Sequence, residues 1–378
     1  MKPMHLRCLV LVIVLLTGLS VDAQYKVRFV VRLPEGHKAG EPVYLAGSFN
    51  RWNPGEEKMK LSASGGQSGI TIELPKGMFE YKFTKGSWEK VEVSKDGGAV
   101  ENRKVEVLSD TTIEAEIGHW ADHLPRQSKR STASPNVHIV DTAFYMPQLK
   151  RHRRIWIYLP PSYASSRKRY PVLYLHDAQN VFDEATSFSG EWGVDETMDS
   201  IGQSMPESIV VGIDNGGDKR MNEYSPFDMD RFGKGEGDLY VDFLVKTLRP
   251  YINQHYRTKR DEKYTFTAGS SMGGLIAFYA ILKYPKKIGG AGVFSPAFWV
   301  APRLKEIVAS KGRKVKGKIY FFAGQQESEQ MVPDMLSIFH QLDQVSKAKM
   351  TTVVRAEGKH TEATWRAEFP LFYQWLLE

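Results

Sequence analysis

The sequence predicts an α/β domain with a mostly parallel sheet over 137–378, preceded by a smaller all-β sandwich over 24–118. Three observations carry this. Short strands separated only by turn clusters fill the first part. In the second part, buried β-branched and aromatic strands alternate with segments of helical period, which implies helices on both faces of a parallel sheet. Between them, 119–136 (HWADHLPRQSKRSTASPN) is polar, carries two prolines and has no period, and is read as a linker.

Residues 1–23 are read as a secretory leader. Lys2, His5 and Arg7 form a basic start, an apolar run over 8–19 is too short to span a bilayer comfortably, and Val21-Asp22-Ala23 offers small residues for cleavage. The expected location is secreted or periplasmic, with no stable membrane span once the leader is removed. The only cysteine, Cys8, lies within it, so the mature chain has no disulfide, thiol nucleophile or Cys-ligated zinc. The chain of 378 residues carries 51 basic and 44 acidic side chains, with the two signs interspersed. No basic block interleaved with aromatics suggests nucleic acid; the run Arg151 to Arg154 suits a solvated strand edge.

In the first part, 25–33, 42–46, 69–74, 78–84, 105–107 and 111–117 read as strands, with turns at 50–55, 62–68 and 96–98. In the second, 137–145 and 154–159 read as a hairpin, and 170–176, 208–213, 264–268, 291–295, 318–323 and 351–355 as strands. Helices are expected over 192–201, 237–255, 275–282, 332–345 and 365–376.

The chemistry centres on Gly269-x-Ser271-x-Gly273, set between strand 264–268 and helix 275–282. Strand, sharp turn and helix are the context that the nucleophile elbow of α/β-hydrolases requires. Such a turn strains the serine backbone, so its neighbours must lack side chains. It also lifts Ser271 Oγ to a helix N-terminus, where the Met272 N–H can hold an oxyanion. A serine nucleophile needs a base, and the base an acid to orient it. Downstream of Ser271 stand only His340, inside a helix, and His360, in a loop after strand 351–355. His360 is therefore the expected base. The acid belongs in the loop after strand 318–323, where Glu327 and Glu329 are equally placed; Asp334 and Asp343 fall in the next helix. A second oxyanion N–H is expected from the loop 176–180, where His176 at the strand end is read as structural.

The segments 170–180, 220–226, 268–274, 294–299 and 358–365 together resemble the esterase D family, over about residues 137–378. The family includes feruloyl esterases, S-formylglutathione hydrolases, mycolyltransferases and siderophore esterases. The resemblance implies Glu327 as the acid, three residues after Gly324, and Gln179 as the second oxyanion N–H, with Ala178 the alternative. It also implies that Arg220 or Glu223 contacts the substrate; Phe298 and Trp299, which follow the strand after the nucleophile turn, are placed to wall the acyl site. The sequence departs from the family in having Ala178 for a common glycine and Glu for the commoner Asp acid.

Gly47-Ser48-Phe49-Asn50-Arg51-Trp52, Tyr81-Lys82-Phe83 and Gly86-Ser87-Trp88 resemble starch- and glycogen-binding sandwich modules. This implies a sugar platform of Trp52, Lys82 and Trp88, although Trp52 is equally suited to closing the core. The combined expectation is a secreted serine esterase, without metal or cofactor, acting on feruloyl or acetyl esters linked to polysaccharide. The alternatives are a siderophore (triscatecholate lactone) esterase and a glycan-binding protein with an inert hydrolase domain.

Overall fold

Alternation of the fully buried Val27, Phe29 and Val31 with outward polar residues makes the first strand and turns one face of its sheet inward. The structure is a computed structural model describing residues 23–50, 52–64, 67–98, 100–123, 129–201, 205–229 and 232–378. The chain divides into two units, residues up to 127 and residues from 128 onward. Apart from Ala23, the segment read as a leader lies outside the described residues.

The first unit contains β1 (Gln24–Arg32), β2 (Tyr44–Gly47), β3 (Ser62–Ser64), β4 (Gln67–Pro75), β5 (Gly77–Thr84), β6 (Glu92–Val93), β7 (Arg103–Val107), β8 (Thr111–Glu116) and β9 (His119–Trp120). Among the described residues they form sheets β3-β4-β1-β8 and β2-β5-β7 and a small β6-β9 pair. Leu45, Phe83, Val105 and Val107 meet Val27, Phe29 and Val31 in one core. Two expectations change here. Ser62–Ser64, read as a turn, pairs antiparallel with β4. The segment read as a linker is also partly structured. Trp120 is fully buried in the sandwich core, and its Nε1 donates to His37 Nδ1 at 3.0 Å. Residues 124–128 lie outside the described residues, and the stretch beyond them belongs to the second unit. There Thr132 N and Ser134 N donate to Asp183 Oδ1 and Asp195 Oδ2 at 3.1 and 2.7 Å, and Asn136 Nδ2 donates to Asp199 Oδ1 at 2.8 Å. Part of its polarity serves hydrogen bonds to carboxylates.

The second unit contains β10 (Val137–Met146), β11 (Arg151–Tyr158), β12 (Val172–His176), β13 (Ile209–Ile213), β14 (Thr265–Ser270), β15 (Gly290–Phe294), β16 (Lys318–Gly324) and β17 (Lys349–Arg355). Among the described residues these form one sheet in the order β10-β11-β13-β12-β14-β15-β16-β17. It is antiparallel across β10, β11 and β13 and parallel from β13 to β17. The helices are α1 (Ser162–Ser165), α2 (Val194–Ile201), α3 (Arg220–Tyr224), α4 (Gly237–Phe243), α5 (Arg249–His255), α6 (Met272–Lys283), α7 (Leu304–Lys311), α8 (Met331–Val345) and α9 (Glu362–Leu377). Val172 and Tyr174 face α6 and α8, whereas Leu173 and Leu175 face α2 and α9. With both faces covered, the strands read as unbroken apolar runs.

The helix expected over 237–255 is interrupted. Leu244–Leu248 forms a π-helical turn between α4 and α5. Pro250 has no N–H to offer the carbonyl four residues back, and the wider turn lies just before it.

Candidate active site

Strands β14 to β17 are parallel neighbours, so their carboxyl ends share one edge of the sheet. Ser270 pairs with Phe294, Phe294 with Phe322, and Gly324 with Arg355. Ser271, Ser295, Glu327 and His360 each follow one of these four ends. Open α/β sheets place ligands outside such ends.

Ser271 is held at φ 56°, ψ −120°. Its N–H donates to Phe294 O at 2.9 Å, and its carbonyl accepts from Leu275 N and Ala297 N at 3.1 and 3.0 Å. A Cβ on Gly269 would stand 2.9 Å from the Gly273 carbonyl carbon, and one on Gly274 would stand 2.8 Å from Phe294 O. The turn thus closes only on glycine. Helix α6 begins at Met272, whose N–H donates to no protein acceptor among the described residues.

The Glu327 side chain is almost wholly buried, and each of its oxygens is engaged. Oε1 accepts from Gly324 N and from Ser295 Oγ, each at 2.6 Å. Oε2 lies 2.7 Å from His360 Nδ1. The ring is 39% exposed, which leaves room for a ligand, and its edge-on neighbour is Trp365 at 5.0 Å. Trp365 Nε1 donates to Ser295 Oγ at 2.9 Å. Ser295, at φ 42°, therefore joins Glu327 to Trp365. Ser295 lies in the segment 294–299, where the sequence alone assigns it no role. Glu329 and His340 are exposed. With Nδ1 tied to a carboxylate, Nε2 is the nitrogen left to exchange a proton.

On the neighbouring strand β12, Asp177 takes the left-handed conformation, φ 59°, ahead of a tight turn over Ala178–Asn180. Arg220 grips its carboxylate with Nε at 2.6 Å and Nη2 at 2.8 Å, and Asn215 Nδ2 adds a third bond at 2.8 Å. The Gln179 side chain is bound to the Asn215 backbone, Oε1 accepting at 3.0 Å and Nε2 donating at 3.3 Å. The Gln179 N–H, like that of Met272, has no protein acceptor among the described residues. Ala178 is tolerated because Asp177 supplies the left-handed residue. Its methyl also faces Gly212, where a Cβ would stand only 2.8 Å away.

The residues expected near the substrate separate. Trp299 is 51% exposed, while Phe298 is buried against Phe278 at 5.4 Å. Arg220 is engaged with Asp177 at the turn, and 26% of its side chain remains exposed. Glu223 is not at the open edge. It is fully buried, accepting from Arg151 Nη1 at 2.9 Å and from Arg153 Nη2 at 2.7 Å, because two guanidinium groups compensate its charge there. His176 is also buried, between Tyr240 OH at 2.9 Å and Thr267 Oγ1 at 3.0 Å. Burial lowers its pKa to about 4, against a smaller upward pull from Asp177. In the first unit, Trp52 and Trp88 are half-buried with ring centroids 6.2 Å apart, tilted by 46°. Lys82 is half-buried on β5, and burial pushes its ammonium below the usual lysine range.

Residues 147–375 match the family model described as "Putative esterase". Residues 31–97 match the model for the glycogen recognition site of AMP-activated protein kinase. An uncharacterized protein, YbbA, from Bacillus subtilis is 28% identical over 47% of this chain and 70% of its own length. An endo-1,4-beta-xylanase/feruloyl esterase from Xylanibacter ruminicola is 25% identical over 56% of this chain, which spans only 27% of that protein. The crystal structure of the enterobactin esterase FES from Shigella flexneri has the same fold, with a TM-score of 0.54 at 17% identity, covering 94% of this chain and 93% of that one.

Proposed function

As a member of the esterase family whose model it matches, the chain is a carboxylic ester hydrolase, and we propose that it cleaves feruloyl or acetyl esters linked to polysaccharide through an acyl-enzyme on Ser271. In this reading Ser271 Oγ attacks the ester carbonyl while His360 Nε2 takes its proton. Glu327 keeps the proton on Nδ1 and stabilises the imidazolium. The Met272 and Gln179 N–H groups receive the oxyanion, His360 protonates the departing alkoxide, and water then attacks the acyl-enzyme with His360 again as base.

The observation that carries this is the 2.7 Å contact between His360 Nδ1 and Glu327 Oε2 at the strand-end edge that Ser271 shares. The match to a glycogen recognition site, the Trp52–Trp88 pair and the relative that joins a xylanase to a feruloyl esterase support a glycan-linked substrate. The leader over 1–23 supports action outside the cytoplasm, secreted or periplasmic.

The test is steady-state hydrolysis by the full chain of a feruloylated arabinoxylan fragment, acetylated xylan and a triscatecholate lactone. The expected result is highest kcat/KM on one of the two glycan esters, with Ser271→Ala lowering kcat by about 10⁴ or more. Preference for the lactone would replace this reading with the siderophore esterase, and no turnover of any ester with the inert, glycan-binding alternative.

A further inference from the structure

On the α2 side of the sheet, three carboxylates converge. Glu191 and Asp195 are buried, Glu196 is half-buried, and one ligand atom from each lies within 4.8 Å of the other two. The protein uses only part of each buried carboxylate. Thr132 Oγ1 donates to Glu191 Oε2 at 2.7 Å, and Ser134 N donates to Asp195 Oδ2 at 2.7 Å. The opposite oxygens, Glu191 Oε1 and Asp195 Oδ1, are buried without a hydrogen-bond partner, and so is Glu196 Oε2. Asp195 as a whole is 0% exposed.

Buried carboxylate oxygens left without a donor or a cation are costly, and each normally has a partner. One positive group, Arg366, has a charge that bears on Glu191. Its guanidinium lies across Gly193, 2.5 Å from where a side chain there would stand, and the residue is exposed. One arginine does not balance three carboxylates. A shared proton bridges two oxygens and leaves the third unmatched.

We propose that Glu191, Asp195 and Glu196 form a structural calcium site, filled through Glu191 Oε1, Asp195 Oδ1 and Glu196 Oε2. Hard all-oxygen donors without His or Cys select calcium over zinc. Two ligands on one calcium lie at most about 4.8 Å apart, which the cluster satisfies. Water completes the shell on the half-buried Glu196 side. Thr132 and Ser134 then act as outer partners that aim the ligating oxygens. The site joins 132–134 to the start of α2. Trp192, between Glu191 and Asp195 in sequence, packs on Trp365 at 5.8 Å, and Trp365 packs on His360 at 5.0 Å. Calcium here stiffens the support behind the His360 ring without touching substrate.

The experiment uses the full chain stripped with chelator, then titrated with calcium chloride while thermal unfolding is followed. Terbium, added separately, is read by luminescence sensitised through the adjacent Trp192. The expected result is a saturable rise in Tm of about 5 °C and terbium emission that calcium displaces. Both responses are lost in Asp195→Asn, or in Glu191→Gln should the first variant not fold. A wild-type chain that shows neither response up to about 10 mM calcium would overturn the proposal. So would responses that persist unchanged in a folded variant.

Discussion

Glu327 divides its two oxygens between the fold and the imidazole: Oε1 is fixed by Gly324 N and Ser295 Oγ, and Oε2 meets His360. Glu327→Gln keeps the shape but removes the charge that opposes the imidazolium, and should lower kcat by on the order of 10⁴. Glu329→Gln, at an exposed side chain, should leave kcat within about twofold, as surface changes away from a site usually do. Steady-state kinetics of the two variants on one ester checks this, and the reverse ranking would remove Glu327 from the role. Sequence spacing left the two glutamates level because what separates them is non-local. The Ser295 hydroxyl, from the loop after β15, joins the nearby Gly324 N–H on Glu327, and that distant partner is not encoded in the Gln325 to Glu329 stretch itself. Glu223 failed for a related reason. Its local sequence looks like an exposed charged loop, and only the fold brings Arg151 and Arg153 onto it. His176 yields a pH prediction. Its folded pKa of about 4 lies below the ordinary 6.5, so between those values the unfolded chain binds the extra proton. The stability it contributes is complete above pH 6.5 and is lost as pH falls toward 4, by on the order of 3 kcal/mol. NMR titration of the labelled ring should show neutral imidazole at pH 5.5, and a His176→Asn variant should flatten the slope of unfolding free energy against pH in this window.

At the scale of elements, the parallel strands were legible because both of their faces are buried, which leaves unbroken apolar runs such as Ile209–Ile213 and Lys318–Gly324. The nucleophile turn was legible because its glycines are obligatory. Strands of two or three residues, β6, β9 and β3, carry no readable period, so none of the three was legible, nor was the core role of Trp120. The turn after β12 was half-legible: its place was clear, but not that Asp177 would take the left-handed conformation under the grip of Arg220. In the first unit, the loops after β2 and β5 bring Trp52 and Trp88 to within 6.2 Å. Flat indole faces at that spacing suit stacking on sugar rings, with Lys82 available as a donor. The full chain should be retarded in native gels containing glycogen or soluble starch. Trp88→Ala should abolish the retardation with little change in Tm, because a half-exposed ring adds little packing. Retardation unchanged by Trp88→Ala would remove this pair as the platform.

For the whole molecule, each unit has its own core, and the esterase family match covers 147–375 of the second. Among the described residues no helix is long and apolar enough to cross a membrane. The order Ser271, Glu327, His360 along the chain follows from the sheet order, since β14, β16 and β17 deliver them at one edge. The central claim is that Ser271 carries the acyl group. Its most direct measurement is stoichiometric reaction of the full chain with a fluorophosphonate ester, followed by mass spectrometry of the intact protein and its peptides. The expected result is one adduct per chain, on Ser271, forming more slowly in Glu327→Gln and not at all in Ser271→Ala. An adduct on another serine, or undiminished labelling of Ser271→Ala, would contradict it.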